Sequence, residues 1–372
     1  MKFAIITHVP HLQYQQKWYA YTPYVNEMNL WIKHVDTVLI VAPIINEEPG
    51  AIHADYNHPD IQFNDLPSFN IKNLGSVIIT LSKMPTLILD IFKVMKNADH
   101  IHLRCPGNIG LLGCLVQIFF PKTPKTAKYA GNWDPKAKQP LSYKLQKWIL
   151  SNTLLTKNMQ VLVYGDWPNQ TKNIKAFFTA TYSETDKKPI VPRDVQNQIE
   201  LLFVGTLSAG KQPMYAVQLA EMLLNKGLNI RLRLYGEGNE RLQLENYIQS
   251  NNLTATVFLQ GNCSKKEIQK AYEESHFLIL PSKSEGWPKV VAEAMFWGCV
   301  PVATPVSCVS NMLDNGNRGV LLDMNTAVDS EKIIDFITQP DDFQSKSVEA
   351  MRWSRNYTLE RFKAEIQKLL SK

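Results

Sequence analysis

Ten short apolar runs restrict what this chain can fold into more than any other feature. KFAIIT, TVLIVA, HIHLR, TAKYA and QVLVY lie in the first half, and IELLFVG, IRLRLYG, ATVFL, HFLILP and VPVAT in the second. Many are uniformly apolar rather than alternating, and stretches of helical period separate them. A strand that is apolar on both faces must be covered on both faces, which a parallel sheet flanked by helices provides. The reading is therefore α/β, with two Rossmann-like domains facing a cleft. A length of 372 residues agrees, because one core rarely grows that large.

The segment 184–198, ETDKKPIVPRDVQNQ, is polar, holds two prolines and lacks periodicity, as a linker does. We place the boundary there, giving an N-terminal domain over 1–192 and a C-terminal domain over 193–352. Residues 353–372 follow, and TLERFKAEIQKLLSK reads as an amphipathic helix with Leu359, Phe362, Ile366 and Leu369 on one face, expected to pack back on the N-terminal domain.

Residues 1–192 hold 20 Lys and Arg against 13 Asp and Glu, a balance of +7, and the remainder holds 20 against 21, a balance of −1. The five cysteines are scattered without a C-x-x-C pair, which suggests neither disulfides nor zinc and fits a reducing, cytoplasmic setting. MKFAIITHVPHLQ is too poor in apolar residues for a signal peptide and reads as a first strand, so the three N-x-S/T triplets read as chance matches. IGLLGCLVQIFF falls short of the roughly 20 residues that a membrane-spanning helix needs.

In open parallel sheets, ligands bind beyond the carboxyl ends of the strands. Four loops at such positions carry glycine, small polar residues and charge: GTLSAGK (205–211), GEGNER (236–241), QGNCSKKE (260–267) and SKSEGWPK (282–289). Pro288 suits the first turn of a helix that runs to about Trp297 and stops at Gly298. Amides near Gly286 to Lys289, at the positive end of that helix, would make an anion site. Glu285 stands before the site and Glu293 about a turn and a half inside the helix. A nucleotide sugar, with hydroxyls at both ends and diphosphate in the middle, matches that arrangement. YGEGNER does not complete a dinucleotide fingerprint, because Arg241 stands where a third glycine belongs.

The E-x7-E spacing in SEGWPKVVAEAM, with FVGTLSAGK, LYGEGNERLQ and LQGNCSKKEI upstream, resembles the retaining glycosyltransferases of the GT-B fold, family four. The motifs cover about residues 199–325 and the layout covers the chain. The resemblance implies that Glu293 binds donor ribose hydroxyls and that Glu285 binds the donor sugar, assisted by amides of Gly286, Trp287 and Lys289 around Pro288. It implies that Lys211 neutralises the leaving diphosphate, with Gly205, Thr206 and Gly236 along the donor and Gly261 and Asn262 bordering the base. The family usually has G-R-L where this chain has Gly205-Thr206-Leu207, so an arginine is missing, and Lys283 is the nearest spare cation. The implied activity is retaining sugar transfer to a glycan or lipid-linked acceptor, in surface polysaccharide or glycolipid synthesis. No D-x-D or His/Asp constellation accompanies the loops, so no metal and no cofactor is expected. The alternative is a catalytically degenerate GT-B protein acting as a nucleotide-binding or scaffold subunit.

The first half is expected to hold the acceptor. By their positions after strands, His8, His11, Arg104 and Asn132 are the candidates, and Trp18, Tyr19 and Tyr21 could stack on sugars. His100 and His102 alternate within a strand and read as structural. Between Lys122 and Lys157 lie eight lysines and one acid, Asp134. There, residues 141–155 read as an amphipathic helix with Leu141, Leu145, Trp148, Ile149 and Leu155 on its apolar face and Lys144 and Lys147 at the margins. Such a face suits an anionic membrane surface, placing the protein in the cytoplasm and peripherally on the inner face of a membrane. No nucleic-acid recognition motif is present.

Overall fold

A computed structural model describes residues 1–50, 52–66, 74–189 and 191–371, with the backbone alone over 74–83. Two compact units form: Met1–Phe178 together with Phe362–Lys372, and Thr179–Arg361. The expected crossing near residue 192 instead falls between Phe178 and Thr179. The described part of 184–198 therefore belongs to the second unit. It is anchored there by the capping box of Ser183 and Asp186 and by Arg193, whose guanidinium donates to the Tyr272, Glu273 and Trp297 carbonyls.

The strands of the first unit are β1 Lys2–Ile6, β2 His11–Tyr14, β3 Lys17–Tyr21, β4 Thr37–Ala42, β5 His53–Asp55, β6 Ile61–Asp65, β7 His100–Cys105, β8 Lys125–Tyr129, β9 Met159–Val163 and β10 Ile174–Ala176. Seven of them make one parallel sheet in the order β10-β9-β8-β7-β1-β4-β6. The remaining three form a small antiparallel sheet, β2-β3-β5. Its hairpin turns at Gln15 and Gln16, with φ of 46° and 61°, where Gly or Asn would be usual. The core gathers aliphatic side chains of the central strands, such as Ile6, Leu103 and Val161, against the helices Leu74–Lys96, Asn108–Val116 and Leu141–Leu150.

All five residues of β8 are buried, including Lys125 and Lys128. A buried ammonium needs partners. Lys128 Nζ donates to the Phe178 carbonyl at 3.2 Å, lies 3.9 Å from Glu27, and faces the rings of Tyr164 and Phe177 at 4.6 Å and of Phe362 at 5.9 Å. Phe362 comes from the helix Leu359–Leu370, which buries Phe362, Ile366 and Leu369 in this unit and pairs Glu365 with Lys175 at 2.6 Å. His100 and His102 both hydrogen-bond the Thr126 hydroxyl and stack on Phe3.

The second unit adds β11 Ile199–Val204, β12 Ile230–Tyr235, β13 Val257–Gly261, β14 Phe277–Leu280, β15 Val300–Ala303 and β16 Val320–Leu321. They form one parallel sheet in the order β13-β12-β11-β14-β15-β16. Leu201, Phe203, Leu232, Leu234, Phe277 and Ile279 form its central layer. Among the described residues, no helix is long and apolar enough to cross a membrane.

Candidate functional site

Because β13, β12, β11 and β14 are neighbours, their carboxyl ends bring the four motif loops side by side. Backbone hydrogen bonds stitch the loops together. Gly236 N donates to Gly261 O at 2.8 Å, Gly205 N to Tyr235 O at 2.9 Å, Leu207 N to Glu237 O at 3.0 Å and Lys283 N to Gly210 O at 2.9 Å. Two glycines permit this closeness. A Cβ at Gly236, whose φ is +134°, would lie 2.0 Å from the Gly205 carbonyl oxygen, and one at Gly238 would lie 2.2 Å from that of Leu207.

At this edge Lys211 Nζ donates to Glu285 Oε1 at 2.5 Å. The glutamate side chain is 9% exposed and the lysine 30%, so the pair has one sheltered end and one open end. The loop that carries Glu285 is held from below. Gln212 Nε2 donates to Pro281 O at 2.5 Å, the Thr304 hydroxyl to Ser282 O at 2.6 Å and the Ser307 hydroxyl to Gly286 O at 2.9 Å. The helix Lys289–Phe296 follows, with Pro288 at its N-cap rather than in its first turn, and Gly298 at φ +77° just beyond it. Among the described residues the amides of Glu285 and Gly286 donate to no backbone carbonyl. A fixed ammonium, these amides and a helix N-terminus together favour an anion.

The remaining donor candidates divide in two. Thr206 and Asn262 are exposed, as is Lys283. Trp287 packs its ring against Trp353 and Tyr357. Glu293 lies one and a half turns into the helix and is already engaged: Oε1 accepts from the Thr181 hydroxyl at 2.7 Å and Oε2 from the Tyr272 hydroxyl at 3.1 Å. A ribose hydroxyl there would share or displace these donors. Burial, and then the Glu293 carboxylate, push the Tyr182 phenol up. Thr181 and Tyr272 are neighbours of this candidate that the sequence did not disclose, since they lie far from Glu293 along the chain and belong to no motif.

In the first unit His8 follows β1, Arg104 is the penultimate residue of β7, and Asn132 follows β8. Because β8-β7-β1 are adjacent, these three lie along one sheet edge. His8 is exposed, and a Cβ at Gly107 would meet its ring at 2.6 Å. The Asn132 side chain accepts from Asp134 N at 2.9 Å and caps its own turn. One acceptor candidate is corrected. His11 is fully buried, bonded to the Val9 carbonyl and the Tyr56 hydroxyl, and burial lowers its pKa to about 4, so it is a core residue. Arg104 is 15% exposed and committed to Glu27 at 3.6 Å and to the face of Tyr24. Trp18 stacks on Phe63 at 3.9 Å.

The basic segment also differs from expectation. Its helix ends at Leu150, Ile149 and Leu150 enter the core, and Lys147 is held by the Trp133 and Asp134 carbonyls. What remains outside is Leu141, Leu145, Trp148 and, beyond the helix, Leu154, exposed by 82, 43, 60 and 78%.

Comparison with known proteins adds the relatives. Residues 184–353 match the family described as glycosyl transferases group 1. An uncharacterised glycosyltransferase of Methanocaldococcus jannaschii is 26% identical over 145 residues, covering 39% of this chain and 41% of that protein, so the chain spans less than half of that relative's length. Protein CapJ of Staphylococcus aureus is 23% identical over 391 residues, which cover 100% of this chain and 95% of CapJ. Among solved structures, HepE of Anabaena in complex with UDP and glucose superposes with a TM-score of 0.68 at 15% identity, covering 100% of this chain and 99% of HepE. The fold is that of the GT-B glycosyltransferases.

Proposed function

We propose, from the match of residues 184–353 to the glycosyl transferases group 1 family, that the chain moves a hexose-type sugar from a nucleoside diphosphate to a glycan or lipid-linked acceptor, with retention. The observation that carries this reading is the Lys211–Glu285 pair at the mouth of four converging loops, beside the amides of the loop that leads into a helix N-terminus. In this reading the diphosphate lies over those amides and competes with Glu285 for the Lys211 ammonium. Breaking the anomeric C–O bond leaves an oxocarbenium-like sugar and puts negative charge on the leaving oxygen. The ammonium and amides therefore stabilise the transition state more than the ground state. Glu285, released from the pair, accepts from sugar hydroxyls. Glu293 serves the ribose by exchanging its Thr181 and Tyr272 donors, with Gly205, Thr206, Gly236, Gly261 and Asn262 along the nucleotide. The reading assigns no step to a metal or cofactor. The complex of HepE with UDP and glucose supports a uridine nucleotide and a hexose as the first donors to try.

Incubation with a panel of nucleotide sugars tests this reading. Release of nucleoside diphosphate from at least one donor is expected, falling roughly 10- to 150-fold for Lys211→Ala, the equivalent of about 1.5 to 3 kcal/mol for a charged hydrogen bond. Thr206, standing where an arginine is usual, favours one second reading, a nucleotide-binding subunit without transfer. Tight nucleotide binding with no release from any donor would select it.

The same reading places the first unit on the inner, cytoplasmic face of an anionic membrane. Leu141, Leu145 and Trp148 share one helix face, with Lys144 exposed beside them and Lys136 and Lys138 exposed nearby in sequence. Lys125 and Lys128 are excluded from that surface because they are buried. Flotation with phosphatidylglycerol vesicles should be lost in Trp148→Asp. Unchanged flotation would remove the membrane from the reading.

A further inference from the structure

The first unit holds a cavity of about 800 Å³ at the sheet edge opposite His8, Arg104 and Asn132. It opens at the amino ends of β7, β8 and β9, where His100, Lys125 and Met159 are the first residues of their strands and line it. Strands of five or six residues at about 3.3 Å per residue put roughly 15 to 20 Å between the two edges.

Lys122, Lys125, Lys157 and Lys172 all face this space, and among the described residues no Asp or Glu lines it. Among the described residues none of the four pairs with a carboxylate. Lys125 is 2% exposed and donates one N–H to the Phe120 carbonyl, which leaves two donors of its ammonium for the cavity. Like charges gathered around one open cavity repel one another, and burial already lowers the Lys125 pKa to about 8. A bound anion would relieve both costs. Thr153 and Asn158 add neutral hydrogen-bonding groups, and among the described residues no Phe, Tyr or Trp lines the wall to stack on a base.

We propose that this cavity is a second anion site, separate from the loops of the other unit, that takes a phosphate or pyrophosphate group. Two sources carry that chemistry: a soluble phosphate compound, or the phosphodiester of a lipid headgroup. The second is reachable because Phe119, two residues before the lining Pro121, and Leu154, next to the lining Thr153, are 71 and 78% exposed. The site does not depend on the transferase reading.

Lys157 and Lys172 are exposed and their removal leaves the core untouched, so Lys157→Ala/Lys172→Ala is the test variant. Inorganic pyrophosphate is titrated calorimetrically into the full chain, into this variant and into Lys211→Ala. The expected result is a binding event that weakens at least 10-fold in the double alanine variant, persists in Lys211→Ala and returns in Lys157→Arg/Lys172→Arg. At pH 8 the event should take up protons as Lys125 recharges, measured by repeating the titration in buffers of different ionisation enthalpy. In parallel, phosphatidylglycerol and phosphatidylcholine vesicles are floated with each protein. If the double alanine variant also loses phosphatidylglycerol flotation and pyrophosphate competes in the wild type, the source is the headgroup. If flotation is unchanged while pyrophosphate binding falls, it is the soluble compound. Equal pyrophosphate affinity and stoichiometry in wild type and double alanine variant, with equal flotation, overturns the site. Failure of the transferase reading would instead show as loss of nucleotide binding or transfer, with this cavity's titration unaffected.

Discussion

The Lys211–Glu285 pair makes a quantitative expectation possible without any substrate. An exposed ion pair contributes about 0 to 1 kcal/mol, whereas removing one partner of a buried pair costs about 3 to 5 kcal/mol. Here the carboxylate is 9% exposed and the ammonium 30%, so the two ends differ. In Lys211→Met the sheltered carboxylate loses its cation, and an intermediate cost of about 2 kcal/mol follows. In Glu285→Gln the lysine can turn to water and the amide keeps the shape of the acid, so about 1 kcal/mol is expected. The double variant leaves no stranded charge and should also cost about 1 kcal/mol, which gives a coupling near 2 kcal/mol. Hydrogen exchange of the peptides over 205–212 and 282–289 reads this directly, because local opening free energies scale the exchange rate. At about 1.4 kcal/mol per decade, both loops of Lys211→Met should exchange about 30-fold faster than wild type, and the double variant should recover much of that protection. A double variant no better protected than Lys211→Met would refute the argument, since it would mean that the loops are held by backbone bonds alone.

Three further outcomes are expected. Glu293→Ala should weaken binding of free UDP, while Glu285→Ala should leave it near wild type and slow transfer; titration calorimetry showing equal loss in both would contradict the roles given to them. Gly236→Ala combines a 2.0 Å clash with a φ of +134°, so roughly 3 kcal/mol of destabilisation is expected in urea unfolding. Gly210→Ala meets nothing within 4 Å and is the neutral control, and similar losses in both would show that the clash relaxes freely. Burial holds the His100 pKa at about 4, against about 6.5 when unfolded. Protonation therefore pulls towards the unfolded state in that window: the stability from this group is complete above about pH 6.5 and is lost as pH falls towards 4, a change of about 3 kcal/mol. His100→Gln should flatten the fall in unfolding midpoint between pH 6.5 and 4.5, and an unchanged slope would place the sensitivity elsewhere.

The sequence disclosed those parts of the fold whose signal is local. All ten apolar runs coincide with strands, because a short, largely apolar run bounded by polar residues has few uses other than a strand covered on its faces. The hairpin of β2 and β3 escaped because Gln15-Gln16 carries none of the usual signals for positive φ. β10 and β16, three and two residues long, are too short to show a pattern. The four loops of the second unit were legible because the position of a loop after a parallel strand fixes which edge it occupies. Whether a side chain turns inward was not legible, and His11 and Lys125 show why. Each follows or starts a strand, yet each is buried by partners distant in sequence, Tyr56 for the histidine and the Phe120 carbonyl for the lysine. A polar residue reads as exposed until its partner is known.

The ring of Phe362 closes the cage around Lys128, and 183 residues, 179–361, separate it from Phe178. On a ribosome adding about 5 to 20 residues per second, the first unit waits roughly 10 to 40 s for that ring after Phe178 has been joined. Through that interval Phe177 and Phe178 lack their aromatic neighbour and a buried ammonium lacks one wall of its enclosure. The second unit, by contrast, is an uninterrupted stretch that can fold as soon as it emerges. The half of the polypeptide made first is therefore the half finished last, and a nascent chain halted before Phe362 should draw chaperones to its beginning rather than to its growing end.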